Sequence, residues 1–174
     1  MTNFVKETFP KAHVYGVDPS SKSIETAKKK FPGIEFSINS DEKEKLAFEA
    51  KTFEIIFSAG VFHHIPFEFH AAYTDELFRI LKPGGHLVLF ELNPLNPLTT
   101  FTFKRSPIDQ NATMMTPCYS YRLLKKYGKT KTKFYCFYPN MLRWLRFTEP
   151  YMTKFPFGAL YATIMNRCDS SSNN

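Results

Sequence analysis

Apolar residues form short continuous runs that alternate with amphipathic segments through the first half of the chain. Continuous runs are typical of parallel strands covered on both faces, and apolar positions three or four residues apart are typical of helices. The pattern predicts strands at residues 13–18, 34–38, 53–59 and 86–92, and helices at residues 4–9, 21–31 and 66–81. Strands that alternate with helices indicate βαβ units, so we predict an α/β fold with a mostly parallel sheet.

The pattern changes after Leu92, where two Asn-Pro pairs interrupt regular structure. Beyond them the chain predicts short helices at residues 119–127 and 140–147, the second with Met141, Leu142 and Leu145 facing inward. Two-residue alternation predicts strands at residues 132–138 and 160–167. Two strands joined by a long connection at the end of a parallel sheet predict an antiparallel pair.

The first predicted strand ends in an acid, Asp18, directly before a helix. Ligands of open α/β sheets bind beyond the carboxyl ends of the strands, and a carboxylate placed there accepts hydrogen bonds from the hydroxyls of a ribose. Asp18 therefore predicts a site for a nucleoside cofactor. The Gly-rich turn expected one βα unit earlier does not precede it, because only thirteen residues lie before Val14.

Composition indicates one packed globular domain, since 43% of the 174 residues are hydrophobic and 17% are aromatic. Cys118, Cys136 and Cys168 are odd in number and form no C-x-x-C pair, which favours a reducing compartment over a disulfide framework or a zinc site. No signal peptide is recognisable, and no apolar run approaches the ~20 residues of a membrane span. These features predict a cytoplasmic protein.

Positive charge is concentrated in the second half of the chain. Residues 1–90 carry 11 Lys/Arg and 12 Asp/Glu, whereas residues 91–174 carry 12 Lys/Arg and 4 Asp/Glu. The basic residues around positions 101–133 are interleaved with Phe and Tyr. Such a surface suits contact with phosphate, an anionic lipid headgroup or nucleic acid, and it is equally typical of a solvated basic face.

Three motifs carry a family resemblance: residues 14–18 (VYGVD), 53–65 (FEIIFSAGVFHHI) and 77–85 (LFRILKPGG). In this order and spacing they resemble the class I S-adenosylmethionine-dependent methyltransferases. Residues 91–99 (ELNPLNPLT) and 155–161 (FPFGALY) also resemble a bacterial-type branch of small methyltransferases. The resemblance implies the Rossmann-like, seven-stranded sheet of that family, whose last two strands form an antiparallel pair, and S-adenosylmethionine as the cofactor.

The resemblance also implies the cofactor contacts. Asp18 would bind the ribose hydroxyls, with Pro19 and Ser20 on the adenine side. An acid after the next strand would face the adenine amino group, and either Asp41 or Glu42 is in range, although a solvated acidic loop explains both as well. The cofactor-binding positions that close the strand at residues 53–59 are Ser58, Ala59 and Gly60, where a glycine permits close approach of the backbone.

Three side chains are candidate proton acceptors: His63, His64 and Glu91. Methyl transfer from a sulfonium mainly requires alignment and exclusion of water, and a base helps when the acceptor is a hydroxyl. The histidine pair is also explained as a structural cap of its turn. We predict no metal site, because no acidic cluster accompanies the histidines of residues 63–70.

The departure from the family concerns its first strand and Gly-rich turn, which are absent from this chain. In the family sheet that strand lies between the strand of Asp18 and the strand of Ser58, so its loss leaves two central edges unpaired. Either those edges pair with each other, or another chain fills the gap, or the sequence is a shortened version of a longer protein. The activity of the chain by itself is left open.

The sequence therefore predicts one methyltransferase-like domain over residues 1–174. Its expected parts are a cofactor half, an acceptor-side or lid segment, a C-terminal strand pair and a tail, at residues 1–92, 93–131, 132–167 and 168–174. We predict methyl transfer to a small-molecule or lipid-like acceptor, with Trp144, Phe147, Tyr151, Phe155 and Phe157 covering the acceptor. The alternative is a non-catalytic methyltransferase-like module that binds a partner or a membrane surface.

Overall fold

The computed structural model describes residues 2–39 and 45–168. The chain divides into two compact units, residues 1–47 and residues 48–174. The first unit contains, in chain order, α1 (Thr2–Thr8), β1 (Tyr15–Asp18), α2 (Ser21–Lys30) and β2 (Glu35–Ile38).

The first unit is a parallel strand pair connected by a helix, as the apolar pattern predicts. β1 and β2 pair in register from Tyr15 with Glu35 to Asp18 with Ile38. The connecting helix α2 begins after Ser20, whose hydroxyl accepts a hydrogen bond from the Ser23 amide. Three lysines in its last turn suit the negative end of the helix dipole. Local sequence signals thus account for both ends of this helix.

The second unit holds the larger sheet. Its strands and helices are, in chain order, β3 (Phe53–Ala59), α3 (His70–Ile80), β4 (Leu81–Leu92), α4 (Pro97–Arg105), α5 (Pro117–Lys125), β5 (Gly128–Tyr135), α6 (Glu149–Met152) and β6 (Leu160–Arg167). Three 3-10 segments complete it, at Phe62–His64, Phe67–Phe69 and Asn140–Thr148.

The larger sheet has the strand order β3-β4-β6-β5. β3 and β4 are parallel, whereas β6 is antiparallel to both of its neighbours, so three of the four strands run in one direction. The predicted antiparallel pair near the C-terminus is confirmed, with β5 paired to β6 from Gly128 opposite Arg167 to Tyr135 opposite Leu160. The predicted α/β class, with a C-terminal antiparallel strand pair, is therefore confirmed.

The hydrophobic core of this unit lies on one face of β4. Leu87 and Leu89 are fully buried because alternate residues of a strand point to the same face of the sheet. Around them pack buried side chains from the neighbouring elements: Phe62, Leu81, Met115, Leu124 and Met165. This packing holds the turn after β3, and the start of the 3-10 segment within it, against the sheet.

The prediction that residues 53–59 form a strand covered on both faces is wrong in its second part. β3 has the predicted bounds, but Ile55 is 63% exposed and Phe57 is also exposed, while Ile56 packs against the core. β3 is the edge strand of the four-stranded sheet. A continuous apolar run therefore did not distinguish a central strand from an edge strand with one bare face.

Two elements of the second half differ from their predictions. β5 ends at Tyr135, and Cys136 then adopts a positive φ of 58°, which ends the extended backbone that the alternating pattern predicts through residue 138. In the 3-10 segment Asn140–Thr148, Met141 is 89% exposed and Leu142 is also exposed, so the predicted inward face is wrong for both. A kink at Leu142 breaks the helical repeat on which that prediction depended.

Residues 82–85 (KPGG), which lie between the predicted helix and strand, form an irregularity within the bounds of β4. Phe53 pairs with Leu81 and Ile55 with His86, so the register shifts across this turn. Gly84 has a positive φ of 74°, and a Cβ on Gly85 would lie 2.9 Å from the Glu54 carbonyl oxygen. Both glycines are therefore needed for the backbone to turn this close to β3.

None of the described helices is long and apolar enough to cross a membrane.

Candidate functional site

In the first unit, the structure brings Asp18, Pro19 and Ser20 together at the carboxyl end of β1. The Asp18 carboxylate accepts a hydrogen bond from the Ser20 amide at 2.8 Å through Oδ1. Oδ2 of Asp18 has no hydrogen-bond partner among the described residues. The amide contact orients the carboxylate while one oxygen stays available, which suits recognition of a diol such as the hydroxyls of a ribose.

The predicted adenine-side acids, Asp41 and Glu42, lie outside the described residues. Ser20 combines its predicted position beside the cofactor with a structural role, since its hydroxyl caps α2. Its assignment to cofactor binding, like that of Asp18 and Pro19, stays a prediction.

In the second unit, Ser58 and Ala59 are the last residues of β3, and Gly60 follows with a positive φ of 63°. The Gly60 amide donates to the Phe90 carbonyl of β4, so the chain leaves the sheet while still attached to the neighbouring strand. A Cβ on Gly60 would lie 3.6 Å from Cε1 of His63. The left-handed conformation favours glycine at this position and turns the chain into the 3-10 segment that carries the histidines.

Glu91, near the carboxyl end of β4, organises this turn from a buried position. Its Oε1 accepts hydrogen bonds from the amides of Val61 and Phe62, at 3.2 and 2.9 Å. Its Oε2 lies 2.6 Å from Nδ1 of His63. Two of the predicted proton acceptors are thus in direct contact, and both oxygens of Glu91 are already engaged.

The His63 ring is 6% exposed and lies between two carboxylates. Burial by itself disfavours the charged ring, but the hydrogen bond and negative charge of Glu91, together with Asp109, outweigh it and raise the pKa of His63 above its usual value. Phe103 of α4 packs edge-on against the ring at 5.9 Å between centroids. The two carboxylates therefore favour a positive charge on the His63 ring.

The structure adds Asp109, which the sequence interpretation missed. One of its oxygens, Oδ1, lies 3.5 Å from Nε2 of His63 and 3.5 Å from Nε2 of His64. His64 is 42% exposed, so the cluster is open to solvent on that side. A hydrogen bond from the Thr113 amide to the His63 carbonyl ties the segment that carries Asp109 to the histidine turn. No sequence spacing indicated this contact.

The third histidine of this region, His70, has a structural role. It is fully buried, and its Nε2 lies 3.0 and 2.9 Å from the carbonyl oxygens of Phe62 and Ile65. Carbonyl oxygens only accept, so Nε2 carries the hydrogen, and Nδ1 faces the Tyr119 hydroxyl at 3.2 Å. His70 therefore attaches the 3-10 segment to α3 and is not part of the His63 cluster.

Two segments that resemble the bacterial-type methyltransferases contact each other through asparagine side chains. The buried Asn93 amide donates to the carbonyls of Pro156 and Gly158, at 2.8 and 2.7 Å. The Asn96 amide donates to the carbonyl of Phe157 at 2.7 Å. We call this set of hydrogen bonds the asparagine clasp. It holds the loop before β6 against the end of β4.

A family model for the methyltransferase domain matches residues 1–89, about half of the chain. The chain belongs to this family. The matched region includes β1 with Asp18, the whole of β3 and the histidine turn. Methyltransferases of this kind take their methyl group from S-adenosylmethionine, which agrees with the acid at the end of β1.

Two curated relatives share this region. Residues of the chain are 39% identical to demethylmenaquinone methyltransferase of Chlorobaculum parvum over 90 residues, covering 51% of this chain and 36% of the relative. They are 29% identical to the ubiquinone/menaquinone biosynthesis C-methyltransferase UbiE of Desulfotalea psychrophila over 102 residues, covering 56% of this chain and 41% of the relative. The chain thus spans less than half the length of these two relatives.

The fold is similar to that of solved methyltransferases. A SAM-dependent methyltransferase from Archaeoglobus fulgidus matches with a TM-score of 0.73 at 15% sequence identity, over 95% of this chain and 82% of that one. At this identity the likeness concerns the fold alone. Together with the family match, it confirms the resemblance that the three sequence motifs predicted.

Proposed function

We propose that this chain takes part in S-adenosylmethionine-dependent methyl transfer to a lipid-like acceptor. The observation that carries the proposal is the oriented acid at the end of β1 in a chain that belongs to the methyltransferase domain family. Bound S-adenosylmethionine supplies a methyl group activated by a sulfonium. Asp18, with one oxygen directed by the Ser20 amide and the other available, would hold the ribose hydroxyls.

The positions at the end of β3 are proposed to border the methionine part of S-adenosylmethionine, as the family resemblance implies. Ser58 and Ala59 are small, and Gly60 has no side chain, so backbone approaches closely there. The three predicted proton acceptors, His63, His64 and Glu91, all lie just beyond this point, on the second unit. Their use in catalysis stays a prediction.

The proposed acceptor class is supported by the names of the relatives, which concern ubiquinone, menaquinone and demethylmenaquinone. This chain offers matching chemistry in its second half. Large side chains with exposed apolar surface there are Leu95, Leu98, Phe101, Trp144, Phe147, Tyr151, Phe155 and Phe157. An apolar tail on the acceptor would cover such residues.

A labelled methyl group tests the proposal directly. We expect S-adenosylmethionine carrying a radioactive methyl group to label a quinol with an isoprenoid tail, and to label its tail-free analogue more slowly. S-adenosylhomocysteine binding, measured by calorimetry, reports the cofactor site separately. Binding without transfer to any lipid-like acceptor would contradict the proposed acceptor class. If the protein shows no cofactor binding and no methyl transfer, the result would favour the alternative, a methyltransferase-like module without catalytic activity.

A second proposal concerns the aromatic–basic segment, which we define as residues 140–157. Trp144 is 67% exposed, and Phe147 and Tyr151 are also exposed. Arg143, Arg146 and Lys154 are exposed beside them, whereas its one acid, Glu149, accepts hydrogen bonds from the amides of residues 137 and 138. None of these three cations forms an ion pair among the described residues, although Arg146 donates a hydrogen bond to Asn140. Aromatic rings beside such cations suit the interface of an anionic lipid surface, where a lipid-like acceptor is held.

Vesicle binding tests this segment. We expect the protein to bind phosphatidylglycerol-rich vesicles more tightly than phosphatidylcholine vesicles. Replacing two cations, Arg143→Gln with Arg146→Gln, should weaken binding by about 30-fold, since each basic residue near an anionic surface contributes about 1 kcal/mol. Co-sedimentation with vesicles gives the affinity.

The matched control is a pair of exposed cations on α5, Arg122→Gln with Lys125→Gln, which changes net charge equally. It should reduce binding much less than the Arg143/Arg146 pair. Equal losses from both pairs would mean that overall charge alone drives binding. Equal affinity for neutral and anionic vesicles would also contradict the proposed role of the aromatic–basic segment.

A further inference from the structure

Three potential metal ligands meet beyond the carboxyl ends of β3 and β4. They are one ring nitrogen each of His63 and His64 and a carboxylate oxygen of Asp109, and these three atoms lie within 4.8 Å of one another. Two imidazoles and one carboxylate form a donor set that zinc takes in catalytic sites. The sequence prediction of no metal site considered only residues 63–70. The carboxylate of Asp109 lies 45 residues beyond His64 in the chain.

The contact with Glu91 determines which His63 nitrogen is available. A carboxylate only accepts, so Nδ1 of a neutral His63 ring carries the hydrogen in the 2.6 Å contact with Glu91. The lone pair of the ring is then on Nε2, the atom that faces Asp109. Glu91 is itself held by hydrogen bonds from the amides of Val61 and Phe62. Its fixed carboxylate therefore orients the His63 ring. This is the carboxylate–histidine arrangement that supports metal-ligating imidazoles.

The distances also suit a cation. Tetrahedral coordination at 2.0–2.1 Å places neighbouring ligand atoms about 3.3 Å apart. Oδ1 of Asp109 lies 3.5 Å from each of the two histidine nitrogens, which is longer than an ordinary hydrogen bond to a carboxylate. Glu91 and Asp109 place two carboxylates beside the His63 ring, and their negative charge would stabilise a cation held there.

We propose that His63, His64 and Asp109 bind one divalent transition-metal cation, of which zinc fits the donor set best. The fourth position lies toward the exposed side of His64 and is open to water or to an oxygen of a small ligand. The proposal concerns cation binding and holds whether or not the chain transfers methyl groups. Glu91 acts here as a positioning residue, because it contacts His63 and not the cation.

The test is titration of chelator-treated protein with Zn²⁺ by calorimetry, followed by Co²⁺ and its visible absorption bands. Three exposed free cysteines would compete for zinc, so the measurements use the full chain with Cys118→Ser, Cys136→Ser and Cys168→Ser. We expect one cation per chain, with the intense Co²⁺ bands of a tetrahedral site. His63→Ala, His64→Ala and Asp109→Ala should each weaken binding by about tenfold or more.

Glu91→Gln tests the positioning role of Glu91 most directly. Its carbonyl oxygen can still accept from the Val61 and Phe62 amides, but its NH₂ group would donate to Nδ1 of His63 and move the ring hydrogen to Nε2. We therefore expect about 10- to 100-fold weaker zinc binding, the usual effect of losing such a supporting carboxylate. His86→Ala, which removes an exposed histidine of β4, is the matched control and should leave zinc affinity unchanged.

Thermal melts show whether each variant is folded, and we expect His64→Ala to stay folded because this side chain is 42% exposed. Binding of one cation, weakened in His64→Ala and Asp109→Ala but not in His86→Ala, supports the site. Absence of stoichiometric binding would overturn the proposal. Equal zinc affinity in His64→Ala, Asp109→Ala and His86→Ala would overturn it as well. S-adenosylhomocysteine binding is measured separately, so failure of the cofactor proposal is distinguishable from failure of this one.

Discussion

Asn93→Ala should lower the free energy of unfolding by about 2–4 kcal/mol, because a buried side chain with three hydrogen bonds is lost. Its amide donates to the carbonyls of Pro156 and Gly158, and its Oδ1 accepts from the Leu95 amide at 3.1 Å. Asn93 is fully buried, so the groups left behind have poor access to water. Urea-induced unfolding followed by circular dichroism measures the change.

Asn96→Ala is the matched control for the asparagine clasp. Asn96 also donates to a carbonyl of the same loop and caps α4 through the Thr99 amide, but its contacts are nearer to solvent. We expect a loss of about 1 kcal/mol, typical of removing an N-cap. A smaller effect for Asn93→Ala than for Asn96→Ala would contradict the assignment of Asn93 as the main attachment of the loop.

The asparagine clasp is expected to affect methyl transfer because it holds the loop that carries Phe155 and Phe157. Phe155 and Phe157 flank the carbonyls that the two asparagines bind, and both rings are exposed. If the loop is released, these two rings lose their defined position at the end of the aromatic–basic segment. Asn93→Ala should therefore also slow methyl transfer to a tailed acceptor more than to its tail-free analogue, when both are measured below the unfolding transition.

Asp18→Ala should weaken S-adenosylmethionine binding by about 1–3 kcal/mol, or roughly 5- to 150-fold in the dissociation constant. The proposed reason is the loss of charge-assisted hydrogen bonds to the ribose hydroxyls. Calorimetric titration with S-adenosylmethionine or S-adenosylhomocysteine gives the affinity. The comparison requires a form of the protein whose binding is detectable before the substitution.

Glu25→Ala provides the control, since it removes an equal charge from an exposed position of α2 in the same unit. It should leave the dissociation constant within about twofold of its original value. Asp18→Asn should bind with intermediate affinity, because its side-chain oxygen can still accept from the Ser20 amide while the negative charge is gone. Unchanged binding in Asp18→Ala would remove this residue from the cofactor site.

Much of the secondary structure could be predicted from local signals. β3 and β6 have the predicted bounds, and α2 ends within one residue of its prediction. These elements have apolar periods and end signals within their own sequences. The predictions of burial failed where burial depends on the packing of other elements or on a local break in the helix. Ile55 and Phe57 lie on a face of β3 that is exposed, which an apolar run by itself does not report. The inward face at residues 140–147 was wrong because the chain kinks at Leu142.

In the candidate site, too, local sequence signals predicted some residues, and only the structure showed their contacts. His63, His64 and Glu91 could be selected from sequence because residues that follow parallel strands meet at one edge of a sheet. Their individual roles could not, since only the structure shows both oxygens of Glu91 engaged with its neighbours. Asp109 carried no signal at all. It lies in an irregular segment after α4, and its position depends on long-range contacts such as the one between Thr113 and His63.

The sequence by itself determined the α/β class, the family and the acid that ends β1, because each is expressed in a local pattern of residues. The tertiary structure decided which side chains touch. It alone placed Asp109 beside two histidines and closed the asparagine clasp across more than 60 residues of chain. Local periodicity reports which face of an element is apolar, but contacts between distant segments depend on how whole elements pack, and that information is not contained in any one stretch of the chain.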